Sequence, residues 1–172
     1  MITLTNTSTT RRVLDLTRDL WYDRIDVIYH PMENEFIKWF ERSNGSWTSS
    51  RRYLYGPNRK ADTYNTKFTV ETVGNKVKIA WDGDASDGTM NMVIEDHMLK
   101  RDSGYFSDDP TESAMSLIDH NTVVFITSYD GVTYREEIRL LADDKYRLRQ
   151  TVATKEDTGS VIIVGQYFEE RA

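Results

Sequence analysis

From Asn65 to the C-terminal end the chain alternates with a period of two, broken by short turn residues. Val77, Ile79 and Trp81 fall on one side of a run whose other side is Lys76, Lys78 and Ala80, bounded by Gly74-Asn75 and Asp82-Gly83. Asn121 to Tyr129 and Val132 to Leu140 are β-rich runs joined at Asp130-Gly131, the strongest hairpin signal in the sequence. Lys145 to Ala153 and Ser160 to Glu169 repeat the pattern around Gly159. Strands at roughly ten-residue spacing, with no helical pattern between them, predict an all-β antiparallel meander that closes as a barrel or sandwich. Asp82 to Gly88 and Asp102 to Ser116 read as acidic loops, and Ser50 to Asn65 begins as strand and breaks at Gly56-Pro57-Asn58.

The exceptions lie mostly in the first quarter. Asn34 to Ser43 places Phe36, Ile37 and Phe40 at helical spacing, with Asn44-Gly45 as the stop. Thr10 to Trp21, carrying Val13, Leu16 and Leu20, fits a second short helix. No repeat or low-complexity linker divides the 172 residues, so residues 1–172 read as one domain, with 1–34 as an N-terminal extension.

The chain has no cysteine, which excludes a thiol nucleophile, a thiolate metal site or a thioether of its own. With 28 acidic against 22 basic residues it is a poor match to a nucleic-acid backbone. No apolar run approaches the ~20 residues of a helical membrane span, and Met1 to Arg12 lacks the apolar core of a secretory signal, though its Thr-rich composition is compatible with a plastid leader. His30, His97 and His120 are dispersed, and there is no Walker loop, G-x-S-x-G or G-x-G-x-x-G, so metal, nucleotide and serine-hydrolase readings fall away. Met90, Met92 and Met98 read as filler for an irregular core or pocket. The 10 Tyr, 6 Phe and 4 Trp suit strands with one packed face and one wet or ligand-facing face.

Three strand faces carry residues that a plain core does not want. Arg147 and Arg149 share a face opposite Leu148; either that face is solvated, or it looks into a barrel mouth where two forked cations grip carboxylates. Tyr167, Glu169 and Arg171 share another, so Glu169 is either a surface carboxylate or a buried proton donor and acceptor. Trp47, Ser49, Arg51, Tyr53 and Tyr55 share a third, mixing rings with hydrogen-bonding tips as the wall of a polar-aromatic pocket does.

The run Phe40-Glu41-Arg42-Ser43-Asn44-Gly45-Ser46-Trp47-Thr48-Ser49-Ser50-Arg51, a helix followed by G-x-W-x-S-x-R, resembles the start of the S-type phycobiliprotein lyases, which load linear tetrapyrroles onto light-harvesting proteins. Asn65-Thr66, Trp81, Tyr146-Arg147-Leu148-Arg149 and the closing Tyr167-Phe168-Glu169-Glu170-Arg171 follow in the family's order, and the resemblance runs from Glu35 to Arg171. The stretch before Glu35 and the loop from Arg101 to Asp119 depart from it.

The resemblance implies a lipocalin-like antiparallel barrel of about ten strands with a short helix across one end. It implies a substrate, phycoerythrobilin or phycocyanobilin, held without a covalent bond and with no tightly bound cofactor. Arg147 and Arg149 are expected to hold its two propionates, Trp47, Tyr53 and Trp81 to flank its π-system beside Ser49 and Arg51, and Glu169 to hydrogen-bond or protonate its pyrrole nitrogens. The second partner is an apo-phycobiliprotein subunit whose cysteine receives the bilin; neither nucleic acid nor membrane is expected, and a homodimer is compatible. The expected location is cytoplasmic, or the plastid stroma in an alga. A non-catalytic carrier of a bilin or another acidic apolar ligand shares nearly all of these features, and a barrel with no ligand leaves the arginines solvated.

Overall fold

The computed structural model of the protein describes residues 33–56, 61–104 and 108–172. The helix expected over Thr10 to Trp21, His30 and nearly all of the 1–34 extension lie outside these residues. Helix α1 spans residues 33–42. Ten strands follow: β1 (Gly45–Tyr55), β2 (Asp62–Val73), β3 (Lys76–Gly83), β4 (Asp87–Glu95), β5 (Met98–Arg101), β6 (Thr111–Asp119), β7 (Thr122–Tyr129), β8 (Val132–Leu141), β9 (Tyr146–Lys155) and β10 (Val161–Arg171). Each pairs antiparallel with its neighbours in sequence, and β1 closes onto β10, so the described sheet has no free edge. The result is a closed, lipocalin-like meander barrel, as expected.

Turn chemistry accounts for the tightest connections. Asp130 and Gly131 both take positive φ, 53° and 69°, as the two central residues of a primed hairpin turn must. Two stretches read as loops are partly strand. Within Asp102 to Ser116, β6 begins at Thr111, with Ser113 and Met115 turned inward and Glu112, Ala114 and Ser116 outward. Small polar side chains hide the period there, because Ser113 is accommodated by a 2.6 Å hydroxyl contact to Thr127 on β7 rather than by apolar packing. Within Asp82 to Gly88, only residues 84–86 lie outside β3 and β4.

One end of the barrel is sealed by α1. Phe36, Trp39 and Phe40 recur at helical spacing and are buried against Val70, Ile94, Leu99, Val123 and Leu140 from the strands. The Trp39 indole N–H donates to the Asn121 carbonyl at 2.9 Å. Arg42 forks onto Asp144, Nε to Oδ2 at 2.9 Å and Nη2 to Oδ1 at 2.6 Å, and reaches the His120 carbonyl and Asn121 Oδ1. The Asp144 carboxylate raises the Arg42 pKa.

The helix stops at Asn44-Gly45 for a visible reason. Gly45 has φ +120°, and a Cβ there would lie 2.8 Å from Arg171 Nη1. Arg171, near the end of β10, donates to the carbonyls of Arg42 (2.7 Å), Asp144 (2.9 Å) and Asn44, so one guanidinium caps the orphan carbonyls at the helix C-terminus. Its plane lies 4.4 Å from the Trp47 ring centroid.

Candidate functional site

Strand register gathers the charges. Ser49 on β1 lies opposite Glu169 on β10, which lies opposite Arg147 on β9; one step along, Arg51 faces Tyr167, which faces Arg149. Alternation turns both rows inward. Leu148 and Phe168, one residue out of phase, are 44% and 50% exposed, whereas Arg147 and Glu169 are 3% and 0% exposed. The solvated-face reading of Arg147 and the surface reading of Glu169 are thereby excluded, and Arg149 is turned the same way with its side chain 19% exposed.

Two ionic groups result. Arg147 Nε lies 2.8 Å from Glu169 Oε2, the approach falling off the hydrogen-bond line so that neither atom has a directed partner. The other Glu169 oxygen accepts from Ser49 Oγ at 3.3 Å, and Ser49 Oγ accepts from Arg51 Nε at 3.3 Å. In the second group, Arg149 Nε donates to Glu136 Oε1 on β8, Thr151 Oγ1 approaches the same oxygen at 3.4 Å, and Arg101 Nη2 on β5 lies 3.8 Å from Glu136 Oε2. Burial drives the Arg147 pKa down, and Glu169 partly offsets that pull. Rings back each cation: Arg147 lies 5.2 Å from the centroids of both Trp47 and Phe68, and Arg149 lies 4.7 Å from that of Tyr167.

Beside these groups lies a cavity of about 360 Å³, within the usual range for small-molecule sites. Trp39 and Phe40 of α1 line it at one end, and it extends to Ala85 and Ser86 at the other, both exposed. One wall is aromatic: Tyr53 contacts Tyr55, Tyr64 and Tyr167 at centroid distances of 6.0, 6.0 and 5.5 Å, and the Tyr167 hydroxyl donates to that of Tyr53 at 3.0 Å. Burial raises the Tyr167 pKa, keeping that hydroxyl protonated as a donor. Ile79, Met90, Met92 and Ile138 supply apolar lining. Trp81 also lines the cavity; its indole N–H donates to Ser86 Oγ at 3.3 Å, and it packs so closely on Gly88 that a Cβ there would lie 2.5 Å from the ring.

Of the residues singled out in the sequence, Arg51, Tyr53, Trp81, Arg147 and Arg149 line this cavity. Trp47, Ser49 and Glu169 do not. Trp47 is the first inward residue after the helix stop; it stacks on Phe68 at 6.3 Å, and its indole N–H donates to the Ser43 carbonyl just past α1 at 2.9 Å. Glu169 and Ser49 sit behind Arg147 and Arg51. The sequence reading missed Arg101, Glu136, Tyr64, Tyr134 and Thr151. Glu136 was findable, since it alternates in phase with Ile138 and Leu140. Arg101 was not, because β5 is only 4 residues long.

A closed antiparallel barrel sealed at one end, with an aromatic cavity and buried guanidiniums, is a lipocalin-like barrel of the ligand-holding class. Comparison with known proteins narrows the class: the model of the CpeS-like proteins matches residues 77–172, more than half of the chain, and the chain belongs to that family. It is 23% identical over 168 residues to a provisionally named phycocyanobilin lyase, CpcS 2, of Nostoc sp., spanning 81% of this chain and 92% of that one. It is 26% identical over 163 residues to a provisionally named chromophore lyase, CpcV, of Picosynechococcus sp., spanning 77% and 79%. Among solved structures, the S-type phycobiliprotein lyase CPES of Guillardia theta shares the fold with a TM-score of 0.59 at 20% identity, covering 78% of this chain and 91% of that one.

Proposed function

We propose that this protein is a phycobiliprotein lyase that holds a phytobilin, phycoerythrobilin or phycocyanobilin, without a covalent bond and directs its attachment to a cysteine of an apo-phycobiliprotein subunit. The observation that carries the reading is the cluster of guanidiniums on the wall of an aromatic cavity, which matches an elongated π-system bearing two carboxylates. Membership of the CpeS-like family supports it.

In this reading the guanidiniums of Arg147 and Arg149 draw the propionates inward, and Tyr53 and Trp81 flank the conjugated plane. Attachment is an addition: the acceptor's sulfur bonds to the A-ring ethylidene, the carbon–carbon double bond opens, the thiol proton ends on the bilin, and nothing leaves. The protein contributes by holding one conformer with one face accessible and by excluding water from the rest. Glu169 acts through Arg147 and Ser49; the carboxylate nearest a bound bilin is Glu136.

The test mixes the protein, phycocyanobilin or phycoerythrobilin, and an apo-subunit, then denatures the mixture and measures bilin retained on the subunit. The expected result is faster and more homogeneous retention than without the protein. A bilin spectrum that shifts on binding with no gain in attachment overturns the lyase assignment in favour of a carrier, and a spectrum unchanged by the protein overturns bilin binding itself.

A further inference from the structure

We infer that Arg51 is the principal carboxylate anchor of the cavity, and that Ser49 is its positioning residue. The inference rests on the bilin-binding reading and follows from which charges already have partners. Arg147 is committed to Glu169, Arg149 is committed to Glu136, and Arg101 shares Glu136. Arg51 forms no ion pair among the described residues. Its Nε donates to Ser49 Oγ at 3.3 Å, its guanidinium lies 5.6 Å from the Tyr167 centroid, and it lines the cavity. Both of its terminal amino groups are therefore available as a fork, without stripping a buried carboxylate of its counter-charge.

The guanidiniums of Arg51, Arg101, Arg147 and Arg149 gather around the carboxylates of Glu136 and Glu169 in the described barrel, a setting that suits a ligand bringing carboxylates of its own. Ser49 ties the two halves together: it donates to Glu169 Oε1 and accepts from Arg51 Nε, so Glu169 and Arg51 are linked through one hydroxyl. With Nε held, the fork of Arg51 is fixed relative to Arg147.

The experiment titrates the protein with phycocyanobilin and with its dimethyl ester, read by bilin absorption. The unaltered protein is expected to prefer the diacid. Arg51→Gln is expected to weaken diacid binding about 10- to 100-fold, the worth of a charge-assisted hydrogen-bond pair, and to leave ester binding nearly unchanged. Arg51→Lys should recover part of the diacid preference, and Ser49→Ala should reduce it with little effect on the ester. Diacid affinity unchanged in Arg51→Gln, or an equal loss for acid and ester, overturns the assignment while leaving bilin binding intact. Failure of the unaltered protein to bind either form overturns the bilin reading and this inference together.

Discussion

Replacing Glu169 by Gln preserves shape and removes one charge from the most enclosed ion pair in the described barrel. Arg147 is then left 4% exposed in its side chain, close enough to Arg149 for that like charge to depress its pKa, with Glu136 as the remaining carboxylate felt there. Removing one partner of a buried pair typically costs about 3–5 kcal/mol. The amide that takes the place of the Glu169 carboxylate still offers an oxygen to Ser49, so the lower end, about 3 kcal/mol, is expected here. That is a large part of the ~5–15 kcal/mol that holds an ordinary domain together. Replacing both partners by apolar residues, Arg147→Met with Glu169→Leu, removes the uncompensated charge and should return stability to near the starting value or above it.

Urea unfolding followed by tryptophan fluorescence measures the unaltered protein, Arg147→Met, Glu169→Leu and their double as a closed cycle, with Glu169→Gln beside them, and an unchanged m-value confirms that the same surface is exposed. A Glu169→Gln loss below about 1 kcal/mol, or single substitutions that sum to the double within ~0.5 kcal/mol, would refute the coupling. The double variant separates folding from function, since it is expected to fold well and yet bind bilin more weakly, having lost both the Arg147 charge on the cavity wall and the Glu169 oxygen that holds Ser49 toward Arg51.

Other perturbations have equally definite outcomes. Arg171→Gln removes the donors that cap the carbonyls of Arg42, Asn44 and Asp144, and should lower the urea stability by about 2 kcal/mol. Gly88→Ala places a methyl 2.5 Å from the Trp81 ring, so Trp81 must leave Ser86; near-UV circular dichroism should change and stability fall by about 1–3 kcal/mol, and an unaltered spectrum would show that the ring is not seated on Gly88. Asp119 accepts from the Asn121 backbone and from Thr122, which holds its pKa below the ordinary 3.8. Its contribution is therefore present above that value and lost as pH falls through the lower folded value, so Asp119→Asn should flatten the acid side of the stability profile and leave the neutral side parallel.

Alternation and turn residues together made the barrel legible, because a sheet that closes on itself needs little else: Asp130-Gly131 fixes one hairpin and Val77, Ile79 and Trp81 fix an inward face. The inward direction of Arg147 and Arg149 was harder, since charge argues for solvent and only the opposing Leu148 and Phe168, both exposed, decide it. Depth along the strand was not legible at all. Trp47 and Tyr53 share a face of β1, yet the first packs on Phe68 and the turn that ends α1 while the second lines the cavity. Period two says which face a residue occupies; which layer it occupies depends on cross-strand register and on where the helix seals the end.

Depth is what ties the ionic layer to the proposed chemistry. β1 runs from the sealed end outward, so Ser49 and Arg51 lie deeper than Tyr53 and Tyr55; β9 starts at the same end, so Arg147 and Arg149 are deep as well. The propionates of a bilin sit on its two central rings, along one edge. Anchoring that edge at the arginines leaves the outer rings to extend along the tyrosines and Trp81, toward the exposed Ala85 and Ser86. With no cysteine in its 172 residues, the protein has no thiol with which to intercept the ethylidene. In the proposed reaction the bilin therefore travels from a non-covalent complex to the acceptor's sulfur, at the end of the barrel that the acceptor can reach. The buried guanidiniums, whose replacement by apolar residues is expected to cost the fold little, are the groups that set this direction in the proposed reaction.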